Sequence, residues 1–280
     1  MGTLYVCATP IGNLGDVTDN LRQTLATCPV IAAESVQAAR RLLTALKIPA
    51  PELFNFREDG AGRSAASLLQ RLKNDESVCL ISEAGTPGIS DPAWQLVQAA
   101  REAQIPVRSI AGPSALTAAL AVSGIQTTEF AFFGFLPHKS SARQQMLGRA
   151  KSLHMTAIFF ESPHRLEDSL QDIEKTYGEQ YSLVMIKELT KLHEQQQQGT
   201  AAEHLGHLAE VSPKGEYVLI LPALPAEEQK VDWVRCRAQA SELLQAGMSK
   251  RDAAKFLSRW AELQKSIAYQ LVEECAQSEF

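Results

Sequence analysis

The chain has 280 residues, 45% of them hydrophobic, which is enough for one large domain or two smaller ones with buried cores. A formal net charge of −5 argues against a uniformly basic protein that coats nucleic acid. The five cysteines occur singly, without a C-x-x-C pair, so we expect them to be reduced and structural. Because residues 3–8 already resemble a strand and no apolar run approaches about 18 residues, we expect a cytoplasmic protein with no secretory leader or membrane span.

Short apolar strands alternate with amphipathic helices in the first part of the chain. The helical patterns include the stripe formed by Leu42, Leu43 and Leu46. Such alternation is typical of a parallel sheet with helices on its faces, so we predict an N-terminal α/β domain over residues 1–125. Its strands are predicted near residues 3–8, 29–33, 52–56, 77–82 and 106–110.

A second set of strands and helices predicts another α/β domain, with a mixed sheet, over residues 126–223. The glutamine run from Gln195 to Gln198 is expected to be an exposed turn or a sheet edge. The strands of this domain are predicted near residues 130–135, 156–160, 181–186 and 217–221.

The C-terminal part is helical in pattern and predicts a small appendix over residues 231–280, after a linker at 222–230 that is rich in proline and polar residues. Ser249 and Asp252 have the spacing of a capping box, which indicates a helix start. The following residues Ala253, Ala254, Leu257 and Trp260 are expected to share one helical face.

Three loops that follow predicted strands combine glycine with proline, at residues 9–14, 82–92 and 111–115. Ligands of doubly wound sheets bind beyond the carboxyl ends of the strands, where glycine permits close approach to the backbone and proline fixes the loop. Each loop taken alone also fits an ordinary strand-to-helix turn, and Asp91-Pro92 and Pro113-Ser114 both fit helix starts. The chain lacks G-x-x-x-x-G-K-[ST], and its first loop lacks G-x-G-x-x-G, so a zwitterionic nucleoside ligand is favoured over a nucleoside triphosphate.

Six short motifs occur in order along the chain. They are T-P-I-G-N-L at 9–14, A-G-T-P-G-I-S-D-P at 84–92, G-P-S-A at 112–115, G-F-L-P at 134–137, F-E-S-P-H-R at 160–165 and E-L-T-K at 188–191. This series resembles that of the ribosomal RNA small-subunit methyltransferase I family, a branch of the tetrapyrrole methylase superfamily. The resemblance implies a homodimer of two-domain α/β subunits with S-adenosylmethionine in the cleft between the domains. It also implies a cytidine ribose 2′-hydroxyl of 16S ribosomal RNA, in the 30S subunit, as the acceptor, and the helical tail resembles a helix-turn-helix appendix.

Carried over position by position, the resemblance implies a cofactor site on loops of both domains. The implied cofactor-binding residues are Pro10, Gly12, Gly85, Thr86, Ile89, Ser114, Ala115, Leu189, Lys214 and Gly215. No metal site is expected. His204 and His207 lie three apart on a predicted helix, but without a second cluster of ligands they are expected to be surface residues.

The chain departs from the family pattern near the implied acceptor. Ser35, Val36 and Gln37 stand where the family usually has Asp-Thr-Arg, and Glu83 stands where an aspartate is usual. Residues 54–60 likewise replace a stretch that typically carries histidine and asparagine. A guanidinium grips phosphate with two parallel hydrogen bonds, whereas Gln37 offers only neutral ones. The nearby Arg40 and Arg41 either compensate or belong to a solvated helix face.

Transfer of a methyl group from a sulfonium to a ribose hydroxyl requires alignment, exclusion of water and removal of the hydroxyl proton, but no metal. Four ionisable residues that follow strands are candidates for the general base, and each could instead serve as an ion-pair or loop-tying residue. These candidates are Glu34, Glu83, Lys187 and Glu188.

Local positive charge is concentrated between His138 and Phe160, a segment without acidic residues. It predicts an RNA-contacting surface or, alternatively, a solvated helix face. From this region and the F-E-S-P-H-R turn, the predicted RNA-binding residues are Lys139, Arg143, His164 and Arg165, with His164 and Arg165 also able to cap a helix.

Two other functions stay open at this point. One is a precorrin-type tetrapyrrole methylase, which needs a trough for a macrocycle. The other is a paralogue that binds S-adenosylmethionine or RNA but has a changed substrate or has lost catalysis, and the three departures, at positions 35–37, 54–60 and 83, motivate it.

Overall fold

A computed structural model describes residues 1–57, 61–210, 213–225, 233–261 and 263–277 of the protein. The chain divides into two compact units, Met1–Leu224 and Pro225–Phe280. Both sheets belong to the first unit, and the second unit is helical. Within these described ranges, no helix is both long and apolar enough to span a membrane. The predicted division of the first unit at residue 125 stays a prediction.

The first sheet is parallel throughout and has the order β3-β2-β4-β1-β5, so the predicted parallel sheet is confirmed. Its strands are β1 Leu4–Cys7, β2 Val30–Ala33, β3 Glu52–Asn55, β4 Val78–Ile81 and β5 Val107–Ile110. The helices of this half are α1 Asp19–Thr27, α2 Val36–Ala45, α3 Ala61–Lys73, α4 Ala93–Glu102 and α5 Ala115–Val122.

The order of the strands positions the candidate loops. Leu4 of β1 pairs with Val78 of β4 on one side and with Val107 of β5 on the other. Because these three strands are parallel neighbours, the loops that follow them leave the sheet at the same edge. Apolar clusters on both faces bury β2 and β4, which explains why these strands are continuous apolar runs without alternation.

The second sheet is mixed, as predicted, with the order β6-β7-β10-β8-β9 and one parallel pair, β6 with β7. Its strands are β6 Phe130–Phe135, β7 Thr156–Glu161, β8 Ser182–Lys187, β9 Gln195–Thr200 and β10 Tyr217–Leu221. Its helices are α6 Ser140–Ser152, α7 Leu166–Tyr177 and α8 Ala201–Glu210. The glutamine run forms the edge strand β9, which confirms one of the two predicted alternatives.

An apolar cluster joins the two sheets. Ile11 and α5 residues Ala119 and Leu120 pack with strand residues such as Ile158 and Ile220 of the second sheet. Burial of this cluster holds the strand-end loops of the first sheet against the second sheet.

Two expectations about local structure need correction. His204 is 1% exposed, because its face of α8 packs on the sheet, and its Nε2 lies 3.4 Å from the carbonyl oxygen of Leu183. The helix expected to begin at Pro92 begins instead at Ala93. Asp91 Oδ1 accepts hydrogen bonds from the backbone N–H groups of Gly88 and Ala93, both at 2.8 Å.

The second unit contains α9 Trp233–Gln245, α10 Lys250–Trp260 and α11 Lys265–Gln277. Ser249 caps α10 as predicted, since its hydroxyl accepts a hydrogen bond from the N–H of Asp252 at 3.1 Å. Ala253, Ala254 and Leu257 are buried, whereas Trp260 is 38% exposed and stacks on Phe256. Residues 226–232, which include most of the predicted linker, and residues 58–60 of the departing segment lie outside the described residues. All five cysteines are free and buried.

Candidate functional site

A cavity of about 330 Å³ lies between the strand-end loops of the first sheet and one face of the second. Its size falls within the range of roughly 300 to 1,000 Å³ that is typical of small-molecule sites. The three predicted loops contribute residues to it, which brings together segments separated by about a hundred positions in the chain.

The first and second loops are joined by a short antiparallel bridge. The N–H of Thr9 donates to the carbonyl oxygen of Gly85 at 2.8 Å, and the N–H of Gly85 donates back to Thr9 at 3.1 Å. Gly85 has φ +77°, and a side chain there would lie 3.2 Å from Ile11. The positive φ favours glycine at this position, and a side chain would also be in tight contact with Ile11.

The second and third loops are joined through Thr86, whose hydroxyl donates to the carbonyl oxygen of Pro113 at 3.1 Å. The third loop lies close to the first as well, since a side chain at Gly112 would come within 2.9 Å of the carbonyl oxygen of Ala8. Ser114 and Ala115 follow and begin α5 while they line the cavity. These contacts fix the three loops as one rigid wall.

The opposite wall comes from the second sheet and from the turn after β8. Leu189 and Gly215 line the cavity together with Phe160 and Val218, which are strand residues. Gly215 has φ +88°, and any side chain there would overlap the carboxylate of Glu188. That carboxylate accepts from Lys191 Nζ at 2.8 Å and from the N–H of Glu216 at 3.0 Å.

The Lys191 ammonium holds the pKa of Glu188 below its ordinary value, and the hydrogen bond from Glu216 adds to the effect. Glu188 is therefore an ionised group that ties the turn together. It does not line the cavity. Lys187 lines a different cavity, with Gln195 and His207, on the other side of the sheet. These positions argue against both residues as the general base, and the assignment of that role stays a prediction.

Carboxylates gather at one end of the cavity, where Glu34, Glu83 and Asp91 all contribute to its lining. Burial raises the pKa of the half-buried Glu34 carboxyl, and the charges of Asp91 and Glu83 raise it further, although a hydrogen bond from the N–H of Glu83 opposes them. That bond joins Glu83 N to Glu34 Oε2 at 3.2 Å. Glu34 is therefore the candidate base whose pKa is raised above the ordinary carboxyl value, towards neutral pH.

Most of the predicted cofactor residues meet in this cavity, and three do not. Gly85, Thr86, Ile89, Ser114, Ala115, Leu189 and Gly215 line it. Pro10, Gly12 and Lys214 do not. Their neighbours Ile11 and Gly215 do, and Gly12 instead lies against the side chain of Lys191. Sequence reasoning missed Ile11 and Asp91 as site residues, although both stand inside the quoted motifs.

The predicted RNA-binding residues separate into two groups. Lys139 and His164 are exposed. Arg143 is 3% exposed and bonds Asp172 Oδ2 through both Nε and Nη2 at 2.7 Å, so it is a buried ion-pair partner, which argues against a contact with RNA. Arg165 is engaged in a similar way, because its guanidinium bonds Glu161 at 2.9 Å, the carbonyl oxygen of Leu136 at 2.9 Å and the Ser162 hydroxyl at 3.1 Å, and its contact with RNA stays a prediction.

Two further basic residues of the same segment are also partly engaged. The guanidinium of Arg149 lies 5.6 Å from the ring centre of Phe133, and Lys151 Nζ donates to the carbonyl oxygen of Thr176 at 2.9 Å. The segment therefore does not present its four positive charges as one free surface.

The fold and the cavity define the class of this chain. It is an α/β protein in which a parallel sheet and a mixed sheet enclose a cavity at the strand-end loops. The sequence model of the family Tetrapyrrole (Corrin/Porphyrin) Methylases matches residues 3–204, and the chain belongs to that family. Among solved structures, diphthine synthase covers 80% of this chain and 90% of its own, with a TM-score of 0.62 and 14% identity. The methyltransferase CobJ covers 80% and 95%, with a TM-score of 0.59 and 18% identity. At these identities the likeness shows the fold.

Several curated relatives that are closer in sequence carry the name Ribosomal RNA small subunit methyltransferase I. The protein of Synechocystis sp. is 39% identical over 272 residues, 97% of each chain. That of Escherichia coli O157:H7 is 36% identical and covers 98% of this chain and 95% of its own. That of Xylella fastidiosa is 41% identical over 79% of this chain and 81% of its own.

Proposed function

We propose that the protein is an S-adenosylmethionine-dependent methyltransferase that modifies the 2′-hydroxyl of a cytidine ribose in 16S ribosomal RNA of the small subunit. The observation that carries the proposal is the cavity between the two sheets, with its wall of three interlocked loops. The curated relatives are similar to this chain over nearly its full length, and their name supports the choice of ribosomal RNA as substrate.

The cavity fits a zwitterionic nucleoside in shape and charge. Ile11, Leu189 and Val218 supply apolar surface for a flat base, and the glycine residues of the loops permit a ligand to approach the backbone closely. The lining carries carboxylates but, among the described residues, no lysine or arginine. This charge favours a ligand with a positive centre and disfavours a triphosphate.

S-adenosylmethionine, when bound, supplies an electrophilic methyl group on a sulfonium. We assign its binding to Gly85, Thr86, Ile89, Ser114, Ala115, Leu189 and Gly215. The loops need no rearrangement to form their wall, because hydrogen bonds between Thr9 and Gly85 and between Thr86 and Pro113 already fix them. Such preorganisation aligns reactants and keeps water away from the reacting atoms.

Glu34 is the residue we assign as general base for the ribose hydroxyl. It lines the cavity, and its pKa is raised by burial and by neighbouring carboxylates. A base whose pKa approaches the working pH removes a proton more effectively than an ordinary carboxylate. Lys139 and His164, both exposed, are the remaining candidates for contact with the RNA backbone. A cytoplasmic homodimer is part of the same proposal.

Transfer of tritiated methyl groups from S-adenosylmethionine to 30S subunits that lack the modification tests the proposal. Digestion of the labelled RNA to nucleosides then identifies the acceptor, and we expect the label in 2′-O-methylcytidine. Label on a base, or transfer to a precorrin-type tetrapyrrole and not to 30S subunits, would refute the ribose assignment. Binding of S-adenosylhomocysteine without transfer to any acceptor would favour a paralogue that has lost catalysis.

A further inference from the structure

A second cavity, of about 780 Å³, adjoins the one between the sheets. The two cavities share four lining residues, Glu34, Glu83, Ser90 and Asp91. We propose that this second cavity binds the base of the acceptor nucleotide, a pyrimidine with an exocyclic amino group. In this arrangement Glu83 accepts a hydrogen bond from the amino group and Trp94 provides the surface on which the base stacks. The inference rests on the proposed function, because it concerns the acceptor of that reaction.

Trp94 is the first indication of a base site. It lies in the first turn of α4, lines the second cavity and is 56% exposed. Stacking on aromatic side chains is the common way in which proteins hold an unpaired base, and it works for every base because each has a flat π face.

The charges of the second cavity identify the kind of group that it accepts. Three carboxylates line it, against one guanidinium, that of Arg57. Such a lining repels phosphate and favours a group that donates hydrogen bonds. The amino group of cytosine is such a donor, and carboxylates are its usual partners in protein–nucleic acid complexes.

Glu83 is the carboxylate available for this contact. Glu34 Oε2 already accepts from the N–H of Glu83, and Asp91 Oδ1 holds the N–H groups of Gly88 and Ala93. The side chain of Glu83 is exposed and makes no hydrogen bond or ion pair with any residue that the structure describes. It can therefore bind a ligand without breaking an existing contact.

The position of Glu34 connects the two cavities chemically. Because Glu34 lines both of them, a ribose attached to a base in the second cavity lies at their junction, beside the proposed general base. Base recognition by Glu83 and proton removal by Glu34 are thus assigned to adjacent but separate carboxylates.

Methyl-transfer kinetics on unmodified 30S subunits test this assignment with Glu83→Gln and Trp94→Ala. Glu102→Gln, on the far end of α4, and Leu153→Ala, a 42% exposed apolar residue, are matched controls. We expect Glu83→Gln and Trp94→Ala to lower kcat/KM by about 10- to 100-fold. Both should leave the Kd of S-adenosylhomocysteine, measured by calorimetry, within about twofold of wild type. Trp94→Phe should recover most of the loss, since it keeps an aromatic face.

A 30S subunit with uridine at the acceptor position provides a readout that a purely structural role would not move. A glutamine amide can donate to the O4 of uracil, whereas the carboxylate of Glu83 cannot, so Glu83→Gln should reduce the preference for cytidine over uridine. If wild type transfers methyl groups but both variants behave like their controls, or if Glu83→Gln keeps the full preference, this inference is wrong and the proposed function stands. If wild type transfers none, both are wrong.

Discussion

Lys191 lies across Gly12 and joins a loop of the first sheet to a turn of the second. A side chain at Gly12, where φ is +135°, would lie 2.5 Å from Cγ and 2.6 Å from Cε of Lys191. The ammonium of the same lysine pairs with Glu188 at 2.8 Å and with Glu216 at 3.0 Å. Glu188 itself has φ +53°, a conformation that non-glycine residues seldom adopt. The turn that carries Leu189 into the cavity thus depends on this lysine.

Lys191→Met should weaken the binding of S-adenosylhomocysteine by about fivefold, the equivalent of losing roughly 1 kcal/mol from two partly exposed ion pairs. The substitution keeps the side-chain length over Gly12 but removes both ion pairs, which loosens the wall formed by Leu189 and Gly215. Calorimetry measures the effect. Lys175→Met is the control, because Lys175 pairs with Asp172, which does not line the cavity. An equal loss in both variants would contradict a specific role for Lys191.

Glu34→Gln should lower kcat by about 100-fold or more if Glu34 is the general base, while the affinity for S-adenosylhomocysteine stays near that of wild type. A base must be ionised to act, and the pKa of Glu34 is raised. The wild-type rate should therefore rise with pH through a limb that lies above the ordinary carboxyl range. Single-turnover rates between pH 5 and 9 give this profile. A glutamine variant that keeps the rate and the same acidic limb would exclude Glu34 from this role.

The Arg143 pair predicts a separation of stability from RNA binding. Arg143→Met leaves Asp172 buried without its guanidinium partner, so we expect a loss of about 3 kcal/mol in the free energy of unfolding. The folded Arg143→Met variant should bind 30S subunits as wild type does.

Lys139→Gln should have the opposite effects. It should leave stability unchanged and weaken RNA affinity, and the slope of log K against log salt concentration should decrease in magnitude by about one. Urea unfolding and filter binding at several salt concentrations distinguish these outcomes.

Hydrogen bonds to Asp172 explain why that carboxylate remains charged. Burial alone would raise the pKa of Asp172, but donors on Gln144, Ser140 and Arg143 outweigh it and hold the pKa below its ordinary value.

The Arg143→Met variant would contradict a structural role for Arg143 if it bound 30S subunits more weakly than wild type while its free energy of unfolding stayed unchanged.

Buried His204 should make the protein less stable in mild acid. Burial lowers its pKa, and its Nδ1 has no hydrogen-bond partner among the described residues. The unfolded state therefore takes up a proton near the ordinary histidine pKa of about 6.5, whereas the folded state takes it up only at lower pH. The stabilisation is present above a pH of about 6.5 and is lost as the pH falls below that value. His204→Gln should reduce this slope by up to about 1.4 kcal/mol per pH unit. Unfolding between pH 8 and 5 measures it, with exposed His207→Gln as control. Identical slopes for wild type and His204→Gln would contradict the account.

Much of the fold follows from the sequence, because the evidence for it is local. The spacing of apolar runs and the glycine and proline residues at strand ends predict both sheets and the loops that carry Gly85 and Thr86. What is missed depends on partners distant in the chain. Arg143 and Asp172 are 29 positions apart, and nothing in the sequence near Arg143 indicates that its partner is a buried carboxylate.

The same limit explains the other differences. The polar residues around His204 in α8 suggest that it is exposed, yet its imidazole faces the strand that carries Leu183. Lys187 is the last residue of β8, and strand alternation turns it to the far face of the sheet. Glu188 follows the strand, and an ion pair with Lys191 engages its carboxylate. Motif position identifies a loop, whereas pairing across the fold decides which of its side chains reaches the cavity.

Calorimetric titration of S-adenosylhomocysteine into wild type, Thr86→Trp and Thr117→Trp tests the central claim most directly. Thr86 lines the cavity between the sheets, whereas Thr117 is an exposed residue of α5 that does not, so both variants add an indole and only one adds it to the proposed site. Circular dichroism establishes that both are folded. We predict that Thr117→Trp binds as wild type does and that Thr86→Trp shows no measurable binding. Unchanged affinity in folded Thr86→Trp would contradict the placement of the methyl donor between the two sheets.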